Sequence, residues 1–220
     1  MSLELSDVEV RVLGALVEKE ITTPEYYPLS LNALTNACNQ KSNRDPVMRV
    51  DEGAVRDALS RLQEWRMAGP AGSAGSRVTK YEHRLQEKFN FTRPEVAVLC
   101  VLLLRRAQTP GELRGRTERM YRFETLDDVQ SALQKLTQRQ SPLVKVLPRQ
   151  PGTKESRWVH VLSRDVLVPE PPQVVRSATE HVALADPERI ASLEEEMAAL
   201  RREVSEMKDQ LERFRKSLSD

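Results

Sequence analysis

Apolar positions along the chain recur in two blocks with the same order of features. Ser6-Asp7-Val8-Glu9 opens one apolar-periodic stretch, and Thr92-Arg93-Pro94-Glu95 opens another at an offset of 86. Both are S/T-x-x-E capping boxes, whose hydroxyl and carboxylate satisfy amides left without partners in a first helical turn. Ser30 before LNAL and Thr109 before PGEL predict two short helices at an offset of 79. AVRDALSRL (54–62) and DVQSALQKL (128–136) carry apolar residues at helical spacing, offset by 74. KYEHRL (80–85) aligns with RWVHVL (157–162) at 77, placing Tyr81 over Trp158 and His83 over His160. The drifting offsets describe one module present twice with loops of different length, which closure entropy tolerates.

Each module is predicted as three helices followed by two strands. In the second, the β-favouring run 143–147 and its return at 157–161 flank the turn PRQPGTKES. In the first, GPAGSAGS (69–76) is the tip before a strand at 77–81. This is the winged-helix arrangement, a helix-turn-helix whose third helix normally enters a DNA groove. The expected fold is α+β and mainly α: winged-helix domains at 1–88 and 89–163, a proline-containing linker at 164–185, and a coiled-coil helix at 186–220.

The coiled coil rests on spacing. Ile190, Leu193, Met197, Leu200, Val204, Met207, Leu211, Phe214 and Leu218 alternate at intervals of three and four. β-branched Ile190 and Val204 at a, with Leu193 and Leu200 at d, favour a parallel dimer. Across a parallel seam Arg189 meets Glu194, Glu196 meets Arg201 and Glu203 meets Lys208, whereas an antiparallel pair sets Glu203 near its own copy. The alternative is a helix that packs back on its own domains.

Net charge of +1 conceals a division. Residues 1–164 hold 26 Lys+Arg against 20 Asp+Glu, and 165–220 hold 8 against 13. A mildly basic body permits an anionic partner without demanding one. The longest apolar stretch, 96–104, is too short for a membrane span. It is also apolar all round, so a second cover is expected from the neighbouring module or a partner. Two separated cysteines, Cys38 and Cys100, and a start without signal-peptide character suggest a reduced, cytoplasmic protein.

Catalytic material is thin. His83, His160 and His181 form no metal-spaced cluster, and GSAGS lacks the setting of a phosphate loop. No enzyme activity, cofactor or metal is expected. Binding candidates are more numerous. The polar run 39–45 lies between the second and third helices, where Gln40, Lys41, Asn43 and Arg44 suit either a surface turn or contact with a partner. The most basic stretch includes Arg114, Arg116 and Arg119, suited to a phosphate backbone or to a solvated face. Arg77 and Lys80 extend it on a wing. The third helices contribute Arg56 in the first module and Gln130, Gln134 and Lys135 in the second; glutamine can pair with adenine but is also an ordinary exposed helix former. Acidic Asp51, Glu52, Asp57 and Glu64 make the first of these helices a poor fit to a phosphate-lined groove.

TTPEYYPLSLNALTNACNQKSNRDPV, RPEVAVLCVLLLRRAQTPGELRGR and LPRQPGTKESRWVH together resemble the YceH-type bacterial family, over about residues 4–163. The resemblance implies a tandem winged-helix fold, no established activity and no catalytic residues. The leading expectation is a DNA-binding, regulatory protein, and the alternative is a non-catalytic protein-interaction scaffold.

Overall fold

Ser6 and Thr92 start the two long helices as their capping boxes predict. Glu9 reaches back to the Ser6 amide at 3.0 Å, and Glu95 reaches the Thr92 amide at 2.7 Å. These contacts come from a computed structural model of the chain, which describes residues 4–72, 78–149 and 155–163. All of them belong to one compact unit. The linker and the heptad seam, 164–220, lie outside the described residues, as does Arg77.

The first repeat runs α1 (Asp7–Thr22), a 3-10 turn (Pro24–Tyr26), β1 (Leu29–Ser30), α2 (Leu31–Cys38), α3 (Glu52–Glu64), β2 (Ala68–Pro70) and β3 (Lys80–His83). A short helix, α4 (Leu85–Phe89), leads to the second repeat: α5 (Arg93–Arg105), α6 (Pro110–Arg116), α7 (Leu126–Thr137), β4 (Val144–Val146) and β5 (Trp158–His160). The architecture is therefore α+β and mainly helical. The strands of the first repeat pair antiparallel in the order β1-β3-β2, with Leu29 opposite Tyr81 and Ala68 opposite His83. β4 and β5 pair antiparallel, and Gln108 takes the place that Leu29 holds in the first repeat, bridging Trp158 by amide bonds of 2.7 and 2.9 Å.

Two features differ from the sequence expectation. Gly69 and Pro70 belong to β2 instead of the tip, and the following strand begins at Lys80. β1 and α4 were not foreseen, because neither carries a local signal. The two residues of β1 are ordered by a strand some fifty positions further on.

Helix α5 is buried along its whole middle, from Ala97 to Leu104. The second cover is α1 of the first repeat, which packs on one side of α5 while α7 and β5 pack on others. Leu13, Leu16, Leu99 and Leu102 meet in the resulting continuous core. At Gly14 the two helices come so close that an added Cβ would sit 2.9 Å from Leu104 Cδ2 and 3.1 Å from Leu103 Cβ. The Cys100 thiol donates to the Gly14 carbonyl across the same contact, at 3.6 Å. Among the described residues no helix is long and apolar enough to cross a membrane.

Candidate nucleic-acid interface

α7 buries Val129, Ala132, Leu133 and Leu136 and turns the opposite stripe to solvent. That stripe holds Asp127, Gln130, Ser131, Gln134, Lys135 and Gln138, all exposed. Their spacing is that of one helical face. Thr125 and Asp128 form the cap at its start, the amide of each residue donating to the side chain of the other at 2.9 and 3.2 Å. Asp128 is held below the usual carboxylate range chiefly by the Thr125 hydroxyl. Its charge serves the helix terminus, as expected for an acid in a first turn. α6 and β4 both pack against α7. α6 and the turn after it bring Arg116, Arg119 and Arg122, and the hairpin brings Lys145 and Arg149, all exposed. The equivalent stripe of α3 holds Arg56, Asp57, Ser60, Arg61 and Glu64, in which charges of both signs alternate. Lys80 is exposed on β3.

Not every arginine of the basic stretch has its donors free. Arg114 is spent on the chain: Nε donates to the Phe123 carbonyl at 3.3 Å and Nη2 to the Glu124 carbonyl at 2.7 Å. It holds the α6–α7 connection, which bears on any substitution there. Arg157 is similarly engaged, forking onto Glu112 at 2.8 and 3.3 Å. Arg116 approaches the same carboxylate only at 3.7 Å.

The polar run 39–45 is not a surface turn throughout. Arg44 is buried, its side chain fully enclosed, and it forks onto Glu18 of α1 at 3.1 and 2.6 Å. Its remaining donors go to the carbonyls of Ala37 and Asn43 and to Gln40 Oε1. Arg44 is thereby withdrawn from any partner, and Gln40 is half-buried in its support. Asn39 pins the base of the loop by exchanging bonds of 2.7 and 2.8 Å with the Val50 backbone. Asn43, at φ 59°, occupies the left-handed region that asparagine tolerates. Its side chain accepts a bond from Arg105, and the Asp45 amide donates to the Leu104 carbonyl at 2.9 Å. The run is thus a latch between repeats, with Lys41 exposed at its outer edge.

Arg11 is the partner that sequence reasoning missed. It sits buried among the apolar residues of α1 and donates to the carbonyls of Cys38 at 3.1 Å and Pro46 at 2.6 Å. Burial, and then the Arg44 charge, hold its pKa below the usual arginine value. The available signal was an arginine inside the run VEVRVLGAL.

The histidines repeat a structural device. The Leu85 amide donates to His83 Nδ1 at 3.3 Å, and the Leu162 amide to His160 Nδ1 at 3.4 Å. With Nδ1 accepting, the His83 ring proton lies on Nε2 and is shared with Glu20, 2.7 Å away. That bond is the first cause of the lowered Glu20 pKa. Burial, followed by the Arg106 charge, brings His160 down to about 4. His83 and Glu20 also border a groove of about 400 Å³, whose apolar lining is Ile21, Leu85, Val96 and Met120.

The model of the family described as "Protein of unknown function, DUF480" matches residues 5–153, from the start of the first repeat through β4 of the second. The chain belongs to this family. It is 56% identical over 200 residues to the UPF0502 protein Acid345_3645 of Koribacter versatilis, covering 91% of this chain and 92% of that one. A UPF0502 protein of Solibacter usitatus is 50% identical over 217 residues, 99% of each chain. A UPF0502 protein of Psychromonas ingrahamii is 47% identical over 212 residues, covering 94% of this chain and 97% of its own. The DUF480 match ends before the heptad seam, while the alignment with the Solibacter relative takes in 99% of this chain.

Proposed function

We propose that each repeat is a winged helix and that the second contacts duplex DNA through α7 and its β4–β5 hairpin, in a regulatory and non-enzymatic protein. The observation that carries this reading is the outer stripe of α7. Gln130, Gln134 and Lys135 are exposed, and among the described residues nothing holds their side chains. α6 and the hairpin, both packed against α7, carry further exposed arginine and lysine that suit phosphates. The first repeat serves as a brace, since its α3 stripe is mixed in charge. On sequence periodicity alone, the seam at 190–218 adds a parallel homodimer to the reading.

Fluorescence anisotropy of the full-length protein with a mixed-sequence duplex tests the proposal. With about four phosphate contacts, affinity should fall about 10²-fold between about 50 and 200 mM salt. Replacing Gln130, Gln134 and Lys135 by alanine should weaken binding without changing the urea midpoint. Absence of duplex binding at low salt, or full binding by that variant, rejects the reading. The alternative, a protein-interaction scaffold, draws on the half-apolar groove beside His83. It gains only if duplex binding fails and substitution of Met120 by aspartate abolishes capture of a protein partner.

A further inference from the structure

We infer that the recess where α1, the 39–46 loop, α5 and the end of α6 meet is a binding site for a phosphate group. Arg105 closes α5, Arg116 closes α6, and Arg119 follows in the next turn; all three line the recess, together with Asn43. The free volume is about 40 Å³. That is room for roughly three waters, the scale of one tetrahedral oxyanion.

The protein neutralises these charges only in part. Glu18 lines the recess, but both its oxygens are taken by Arg44. Glu112, 3.7 Å from Arg116, already holds Arg157 and accepts the Thr109 amide at 2.9 Å. Arg119 has no ion-pair partner among the described residues. Asp45 offsets Arg105 in part. Arg105 is depressed first by burial and then by the Arg116 and Arg44 charges, which outweigh the opposing Asp45 and Glu18 charges. Asn43 fixes the Arg105 guanidinium through one nitrogen, so its other donors are oriented before any ligand arrives. Planar guanidinium forks match phosphate oxygens, and an anion shared among three of them removes their mutual repulsion.

The inference does not depend on duplex binding, since the phosphate can come from a small phosphorylated molecule or from a nucleic-acid backbone. Titration calorimetry of the full-length protein with inorganic phosphate, at ionic strength held constant with chloride, should show one saturable site per chain. Arg116→Gln combined with Arg119→Gln should weaken it by at least about tenfold. Arg119→Gln alone, at an exposed position, should weaken it less and leave the urea midpoint unchanged. Loss of both phosphate and duplex binding in the double variant supports the site and identifies a backbone phosphate as its ligand. Loss of phosphate binding alone supports the site and identifies a small ligand. Duplex binding that fails while phosphate still binds rejects the DNA reading and supports this one. No saturable heat up to about 10 mM phosphate, or undiminished phosphate binding by the double variant, overturns the inference.

Discussion

Arg44 shows how a charged side chain can belong to the core. Removing a guanidinium and a carboxylate from water costs several kcal/mol per ion, and the pair persists only when its hydrogen-bonding capacity is met. Here the fork to Glu18 is joined by bonds to Ala37, Asn43 and Gln40, so the loop carbonyls at the latch are satisfied by the same group. Arg44→Ala would leave the Glu18 carboxylate buried and alone, and should cost about 3–5 kcal/mol. Combining it with Glu18→Leu should recover part of that loss, because the isolated charge is gone while the unsatisfied carbonyls remain. Urea denaturation checks both. A single variant within about 0.5 kcal/mol of the parent protein would mean that the loop carries no such weight. Arg114 is a milder case, since its bonds to Phe123 and Glu124 lie at the surface.

At the scale of elements, the α1–α5 contact depends on a glycine. Gly14→Ala restores about 1 kcal/mol of helix propensity but forces its methyl against Leu104 and against Leu103 Cβ, which cannot move without its backbone. Overpacking of that kind costs about 1–3 kcal/mol, so the variant should be less stable. Gly115, in α6, has open space where a Cβ would go. Gly115→Ala should therefore gain about 0.5 kcal/mol, and thermal melts that moved both variants the same way would contradict this packing. The helix starts were legible in the sequence because a capping box is completed within four residues, as at Ser6–Glu9 and Thr92–Glu95. The exposed stripe of α7 was legible for a similar reason, being the complement of an apolar period. The fate of Arg44 was not legible, because its partner lies 26 positions away on a helix that already reads as apolar. Only Arg11 and Gly14, interruptions within that helix, hinted that the loop and the second repeat would press against it.

At the scale of the whole molecule, two copies of one sequence pattern share a core but not a surface. The second copy keeps a polar stripe on its third helix, and the first spends its connecting loop on holding the two together. On the proposed reading one such unit would offer duplex DNA a single stripe, and a symmetric dimer would offer two, which is how helix-turn-helix proteins commonly gain affinity. The heptad pattern at 190–218 supplies the expected means. Leu200→Asp, in the full-length protein, places a carboxylate in the seam, where an unpaired buried charge costs several kcal/mol; sedimentation should then show a monomer in place of a dimer. Orientation can be read separately. In a parallel coil the two copies of residue 190 lie side by side, whereas an antiparallel coil sets them at opposite ends. Ile190→Cys should therefore form a disulfide-linked dimer under mild oxidation. The native thiols would not confuse the result: Cys38 and Cys100 are both buried, and burial raises the pKa of Cys38 to about 12 and that of Cys100 further. Thiolate is the reactive form, so both should stay reduced while the introduced cysteine reacts. A dimer that never crosslinks at that position would reject the parallel arrangement, and a full-length protein that sediments as a monomer would reject dimerisation itself.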